Sequence, residues 1–126
     1  MTILTYPVIF IYVYITSFLI HELMHIKSQG ITSEGEITIT STGMLAYCNY
    51  IKNASLFYYS GGILSSIIMF ILVFLTTDWW QWCYLTMGFL QLSYGIYEGY
   101  MECNVGYRYY IYVIVIIIML IIWVVK

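Results

Sequence analysis

Residues 18–25 read Phe-Leu-Ile-His-Glu-Leu-Met-His and end an apolar run that has no charged residue from 3–20. That run is close to the roughly 20 residues that a helix needs to cross a bilayer. The HExxH pattern of His21, Glu22 and His25 is therefore predicted to lie within, or at the end of, a membrane helix. Ionisable groups are costly in such a place, and they mark function by default.

The composition of the whole chain agrees with a membrane environment. Of its 126 residues, 63% are hydrophobic and only 8% are charged, whereas soluble domains carry about 25% charged residues. Lipid is therefore expected to solvate much of the surface. The net charge of −2 is small and no basic run occurs, which argues against nucleic-acid binding. The three cysteines show no CxxC spacing, which argues against a disulfide framework.

Apolar stretches of membrane-crossing length recur along the chain. They predict spans at about 3–26, 56–77, 79–97 and 107–125. The region 31–52 differs, because polar and β-branched residues alternate at 36–40 as they do in a strand. The expected fold is an all-α polytopic membrane protein, a single domain over 1–126. It has about four transmembrane helices and a short β-hairpin or strand insertion after the first.

The basic residues predict how this domain is oriented in the membrane. Four spans would place both chain ends on one side, together with Lys126. Lys27, Lys52 and Arg108 would lie on the other side, next to the HExxH motif. The positive-inside rule favours that second side as the cytoplasmic one. The prediction is an integral, multi-pass protein of the cell membrane with its active site near the cytoplasmic face.

The HExxH motif has a geometric reason for binding zinc. His21 and His25 are four residues apart, so a helix presents both on one face, where two imidazoles can hold one Zn²⁺. Glu22 lies beside them and can take a proton from a zinc-activated water, whose pKa the ion lowers to about 7. A simpler interpretation is that the three residues form an interfacial or helix-packing cluster. Their position in a predicted span favours zinc.

A catalytic zinc site also needs a third protein ligand and an open fourth position. Asp78 is the only aspartate, but four spans would place it at the opposite membrane face. Glu34 and Glu36 fall in the predicted strand region, where a solvated position is expected. Glu98 and Glu102 remain, both at the end of the third span.

Glu98 is the preferred third ligand, because it lies deeper in the span by sequence count. Glu102 is the alternate third ligand, and it could instead pair with Arg108. Cys103 or Asn104 is a minor alternative.

Three segments of the chain follow an order that is known from one protein family. The HExxH helix comes first, and Gly30 and a strand-like stretch ending at Gly43 follow it. Tyr-Ser-Gly-Gly-Ile-Leu-Ser-Ser at 59–66 stands where the family has an Ala-Gly-Pro-Leu-x-Asn helix start. Gln-Leu at 91–92 and Glu-Gly at 98–99 stand where it has Asn-Leu-x-Pro and Asp-Gly. On these residues the chain resembles a minimal, divergent member of the site-2 protease family of intramembrane zinc metalloproteases.

The resemblance implies an intramembrane zinc metalloendopeptidase, a hydrolase that cleaves transmembrane peptide segments. Glu22 would be the general base, and the strand near 36–40 would pair with an unwound substrate by β-addition. The family's aspartate ligand would be Glu98, or Asn104 in an alternative alignment of 103–108. The partners would be a transmembrane protein substrate and the lipid bilayer. The chain could act alone, as a homo-oligomer or in a larger membrane complex.

Two other functions fit parts of the same pattern. A catalytically inactive relative could serve as a small structural or accessory membrane subunit, since the second and third segments match the family only loosely. A transporter or proton-relay component could use the same histidines and glutamates as an intramembrane polar chain. Four spans make a thin transport pathway, and the order of the residues favours the protease.

Overall fold

Four helices and one small sheet make up the computed structural model, which describes residues 3–41, 43–48, 50–101 and 106–125. The order along the chain is α1 (Thr5–Lys27), β1 (Glu36–Thr40), β2 (Gly43–Tyr47), α2 (Ala54–Leu75), α3 (Asp78–Met101) and α4 (Gly106–Val125). The expectation of a mostly helical protein with a strand insertion after its first helix is confirmed.

The strand insertion is a tight antiparallel hairpin. Glu36 pairs with Tyr47 at its open end, and Thr40 pairs with Gly43 at the turn. Gly43 has a φ of 130°, a backbone conformation that a residue with a Cβ rarely adopts. The hairpin packs against α1 through β2, which brings its backbone to the HExxH helix.

Helix α3 is longer than the apolar pattern of the sequence predicts. The pattern ends the third span near residue 97, but the helix continues to Met101. Its last part packs closely on α2, where a Cβ added to Gly95 would lie 2.6 Å from the Cα of Gly62. Such close packing offsets the low helix propensity of glycine. Glu98 is therefore carried on a helix rather than in a loop.

The side-chain contacts fix the directions of the helices. Near the starts of α1 and α3, the Trp79 indole donates to the carbonyl of Tyr6 at 2.9 Å. Further along both helices, His21 contacts Gln91. The two helices therefore run in the same direction. The bundle has a tryptophan end, which contains Trp79, Trp82 and Trp123, and a HExxH end, which contains His21, His25 and Glu98.

Two of the helices meet the requirements for crossing a bilayer. Among the described residues, α1 and α2 are long and apolar enough, and many large apolar side chains lie exposed on their outer faces. In α4, the apolar part that the structure describes is the shorter segment Val113–Val125. These features support membrane association, and the arrangement with four spans stays a prediction.

Candidate metal centre

Three side chains with metal-ligating atoms converge at the HExxH end. His21 and His25 come from one face of α1, and Glu98 comes from α3. They are 0%, 2% and 8% exposed respectively. One ligand atom from each lies within 4.8 Å of the others. Since metal ligands must reach a common centre, this is the first requirement for a site.

The separations between these atoms match a small tetrahedral ion. The two Nε2 atoms of His21 and His25 are 3.0 Å apart. Glu98 places Oε2 at 3.3 Å from the first nitrogen and Oε1 at 3.1 Å from the second. Ligands bound to zinc at 2.0–2.1 Å in tetrahedral geometry lie about 3.3–3.4 Å from one another. The three groups therefore lie at separations suited to zinc, with the two Glu98 distances measured to different oxygens of its carboxylate.

The partners of the two Nδ1 atoms determine which imidazole nitrogens can bind a metal. His25 Nδ1 donates to the backbone carbonyl of Phe57, which can only accept. His21 Nδ1 donates to Oε1 of Gln91 at 2.6 Å. In its neutral form, each ring therefore keeps its proton on Nδ1 and directs the lone pair of Nε2 towards the other ring.

With both rings in that form, the three groups present electron pairs to one another. The two Nε2 lone pairs and the carboxylate of Glu98 share a buried space in which each group is an acceptor. Unmatched buried acceptors are costly, so this space suits a cation, either a proton on one imidazole or a metal ion. The convergence of one ligand atom from each residue makes the three a candidate metal site.

Glu22 lies beside this cluster and is held from outside its own helix. The Oε2 atom of Glu22 accepts from the backbone N–H of Ala46, on β2, at 2.8 Å. The Oε1 atom is 4.0 Å from Nε2 of His21. The side chain is 2% exposed. One carboxylate oxygen is thus anchored on β2, and the other lies on the side of the His21 ring that faces the cluster.

Helix α2 shapes the site from the opposite side. A Cβ on Gly61 would lie 2.5 Å from Nε2 of His25, so only glycine leaves room for that ring. Phe57 stacks on the same imidazole, with ring centroids 4.9 Å apart. A cavity of about 280 Å³ opens beside the cluster. Its lining residues come from α1, β2, α2 and α3, and they include Glu22, His25, Ala46, Phe57, Tyr94 and Glu98.

The structure brings together four of the predicted site residues and separates the others from them. Those that meet are His21, Glu22, His25 and Glu98. Asp78 opens α3 at the tryptophan end, and a helix from there to Glu98 spans about 30 Å. Glu34 and Glu36 are exposed. The alternate ligands Glu102, Cys103 and Asn104 lie outside the described residues.

Residues that orient the ligands were not predicted from the sequence. Gln91 lies seven positions before Glu98 on α3, so the two share a helix face, and a polar side chain in an apolar span is a usable signal. The carbonyl of Phe57 and the N–H of Ala46 carry no such signal, because every residue except proline has both groups.

Comparisons with known proteins give no relative from which a function could be inferred. No family model matches the chain, and no curated protein and no solved structure matches it. Function resides in sites rather than in folds, so the chemistry of these residues is the basis for assigning one.

Proposed function

We propose that this protein is an intramembrane zinc metalloendopeptidase that cleaves transmembrane peptide segments. His21, His25 and Glu98 are its zinc ligands and Glu22 is its general base. The observation that carries the proposal is the buried convergence of three acceptor groups at tetrahedral spacing beside a carboxylate that is held in place by a strand. The resemblance to the site-2 protease family points to the same histidines and the same base, and to Glu98 or Asn104 as the third ligand.

Each part of the site has a defined role in hydrolysis. Zinc held there would lower the pKa of water to about 7 and polarise the scissile carbonyl. Glu22 accepts the proton as the water oxygen forms a bond to the carbonyl carbon. The same carboxylate then gives that proton to the amide nitrogen as the C–N bond breaks. His21, His25 and Glu98 would hold the ion, and a site with three protein ligands would leave it able to bind water.

The hairpin offers a place where a substrate segment could bind in extended form. An extended peptide can add to the edge of β1 by backbone hydrogen bonds, and a helical segment could do so only after it unwinds. The cavity of about 280 Å³ lies on the β2 side of the hairpin, where Ala46 and Glu22 line it.

The outer surface of the bundle supports a membrane location. Large exposed apolar side chains include Ile11 and Ile15 on α1 and Ile67 and Ile71 on α2, at 44–55% exposure. Contiguous apolar surface of this kind is a mark of membrane or protein contact. In the proposed arrangement all four helices cross the bilayer. The site then lies near the cytoplasmic face, in line with the positive-inside rule.

The substitution Glu22→Gln tests the proposed mechanism. Wild-type protein purified in detergent should contain about one zinc per chain, and it should cleave a co-expressed single-span reporter. Glu22→Gln should keep the zinc and lose cleavage, because an amide cannot take up the proton. Glu34→Gln, an exposed position outside β1, is the matched control and should keep both. Cleavage that persists in Glu22→Gln would show that the mechanism is wrong.

One observation favours a second function, that of a catalytically inactive accessory subunit. The strand β2 holds Glu22 through Ala46 and lines the cavity, so the hairpin covers part of the base. Zinc at one per chain without cleavage of a panel of single-span reporters would support this alternative.

A further inference from the structure

Gln91 is a buried polar residue that the proposed hydrolysis does not use. Its side chain is 0% exposed, in the middle of α3. The Oε1 atom accepts from Nδ1 of His21 at 2.6 Å, and the Nε2 atom donates to the hydroxyl of Ser17 at 3.2 Å. An amide in this environment is costly unless both its ends are bonded. Both ends are bonded here.

In each hydrogen bond around Gln91, only one assignment of donor and acceptor is possible. The Ser17 hydroxyl donates to the backbone carbonyl of Tyr14 at 2.8 Å, which uses its only proton. Its oxygen must therefore accept from the amide of Gln91, which turns Oε1 towards His21. That oxygen can only accept, so Nδ1 of His21 must carry the proton. A backbone carbonyl on α1 thus determines the tautomer of His21 through three steps.

The same chain of bonds prepares Nε2 of His21 for a metal. With the proton on Nδ1, Nε2 presents its lone pair to His25 and Glu98. Metal-bound histidines characteristically donate their other N–H to a carboxylate, a carbonyl or water, which fixes the ring and raises its basicity. For His25 the carbonyl of Phe57 performs this task. For His21 the acceptor is the side chain of Gln91, which a substitution can remove.

We propose that Gln91 is a positioning residue for metal binding, which fixes the tautomer and the ring orientation of His21 through an anchor on Ser17. This inference rests on the proposed metal site. It concerns the affinity of the site for a divalent transition metal such as zinc, and it does not require peptide cleavage. The competing explanation is that Gln91 only joins α1 to α3 as a packing hydrogen bond.

Four variants separate these explanations by zinc affinity. Gln91→Leu removes the acceptor for His21 and should weaken zinc binding about 10–100-fold, the usual cost of losing a group that orients a ligand. Gln91→Glu keeps an acceptor of the same length and should bind zinc within a few-fold of wild type. Ser17→Ala leaves Gln91 in place without its anchor and should give an intermediate loss. Thr86→Val is the control.

Thr86 is a matched control because it lies on the same helix and is also 0% exposed. Its hydroxyl donates to the carbonyl of Trp82 at 2.8 Å, so its removal deletes a buried hydrogen bond of α3 without altering a ligand. A packing role for Gln91 predicts that Gln91→Leu and Thr86→Val bind zinc alike. A positioning role predicts a loss of affinity in Gln91→Leu only.

The measurement is zinc competition against a chelator of known affinity, with full-length protein in detergent. The absorption spectrum of the Co²⁺-substituted protein reports ligand geometry independently, and it should change in Gln91→Leu and be restored in Gln91→Glu. Equal zinc affinity in Gln91→Leu and Thr86→Val would overturn the inference. If Gln91→Leu does not fold, wild-type affinity in Ser17→Ala would overturn it instead.

The outcome for the wild type separates this inference from the proposed function. Wild-type protein that binds no zinc refutes the metal site, and the inference with it. Wild-type protein that binds zinc but cleaves no reporter refutes the protease alone. The affinities of the Gln91 variants then still decide the role of that residue.

Discussion

The two ends of the helix bundle differ in how their polar atoms are paired. At the tryptophan end, the indole N–H groups of Trp79 and Trp82 donate to the carbonyls of Tyr6 and Met119 at 2.9 and 3.4 Å. Each of these donors is therefore bonded to an acceptor on another helix. At the HExxH end, acceptors from α1 and α3 face one another instead. Matched pairs stabilise packing, whereas facing acceptors indicate a place for a cation.

Each end also carries one acidic residue of α3, in opposite surroundings. Asp78 is exposed where the helix begins. Glu98 is 8% exposed between two imidazoles. A carboxylate at the start of a helix needs no metal, because the helix dipole favours negative charge there. The contrast therefore separates an ordinary helix terminus from a candidate ligand.

The largest expected effect on zinc binding comes from neutralising Glu98, with the neutralisation of Asp78 as the comparison. Glu98→Gln should weaken zinc binding by more than about 100-fold, since changes to groups that only orient a ligand already cost about 10–100-fold. Asp78→Asn should leave zinc content at the wild-type level. Elemental analysis of both purified variants is the measurement. Equal zinc content in the two variants would show that Glu98 is no more a metal ligand than Asp78 is.

A smaller effect is expected from added bulk beside His25. In Gly61→Ala the new methyl would lie 2.5 Å from Nε2 of that ring. The ring must move, so zinc affinity should fall about 10-fold or more, as it does when a ligand loses its orientation. Gly88→Ala is the matched control, because its methyl would meet the ring of Phe70 at 2.6 Å, away from the cluster. Zinc competition should show a loss for Gly61→Ala only.

The smallest effect is expected at the tryptophan end. Trp79→Phe removes the donor to the carbonyl of Tyr6 and should cost about 0.5–1.5 kcal/mol of stability. Zinc affinity should stay at the wild-type value. Thermal unfolding in detergent and zinc competition together check both parts. A fall in zinc affinity similar to that of Gly61→Ala would show that the two ends are not independent.

Much of this architecture follows from the sequence alone. Long apolar runs predict the helices, because a helix in lipid satisfies its own backbone. The alternation at 36–40 predicts β1, and the spacing of His21 and His25 places both on one helix face. Glu98 could be selected from depth in the span, since few acidic residues are present to choose from.

The remaining features depend on tertiary contacts that the sequence pattern does not predict. The continuation of α3 past residue 97 goes with close packing on α2, where Gly99 lies against the ring of Tyr59, and hydropathy does not encode such contacts. The proton on Nδ1 of His21 depends on Gln91, a residue whose spacing alone does not reveal its partner. The anchoring of Glu22 depends on a backbone N–H, and backbone groups do not vary with sequence.

The hydrogen bond between Glu22 and Ala46 couples the position of the hairpin to the position of the base. The carboxylate belongs to a long helix, whereas the N–H from which it accepts belongs to a two-stranded sheet that packs on that helix. A movement of β2 relative to α1 would therefore also move the proton acceptor. In the proposed protease, an extended peptide that pairs with β1 would stiffen the sheet and thereby steady the base.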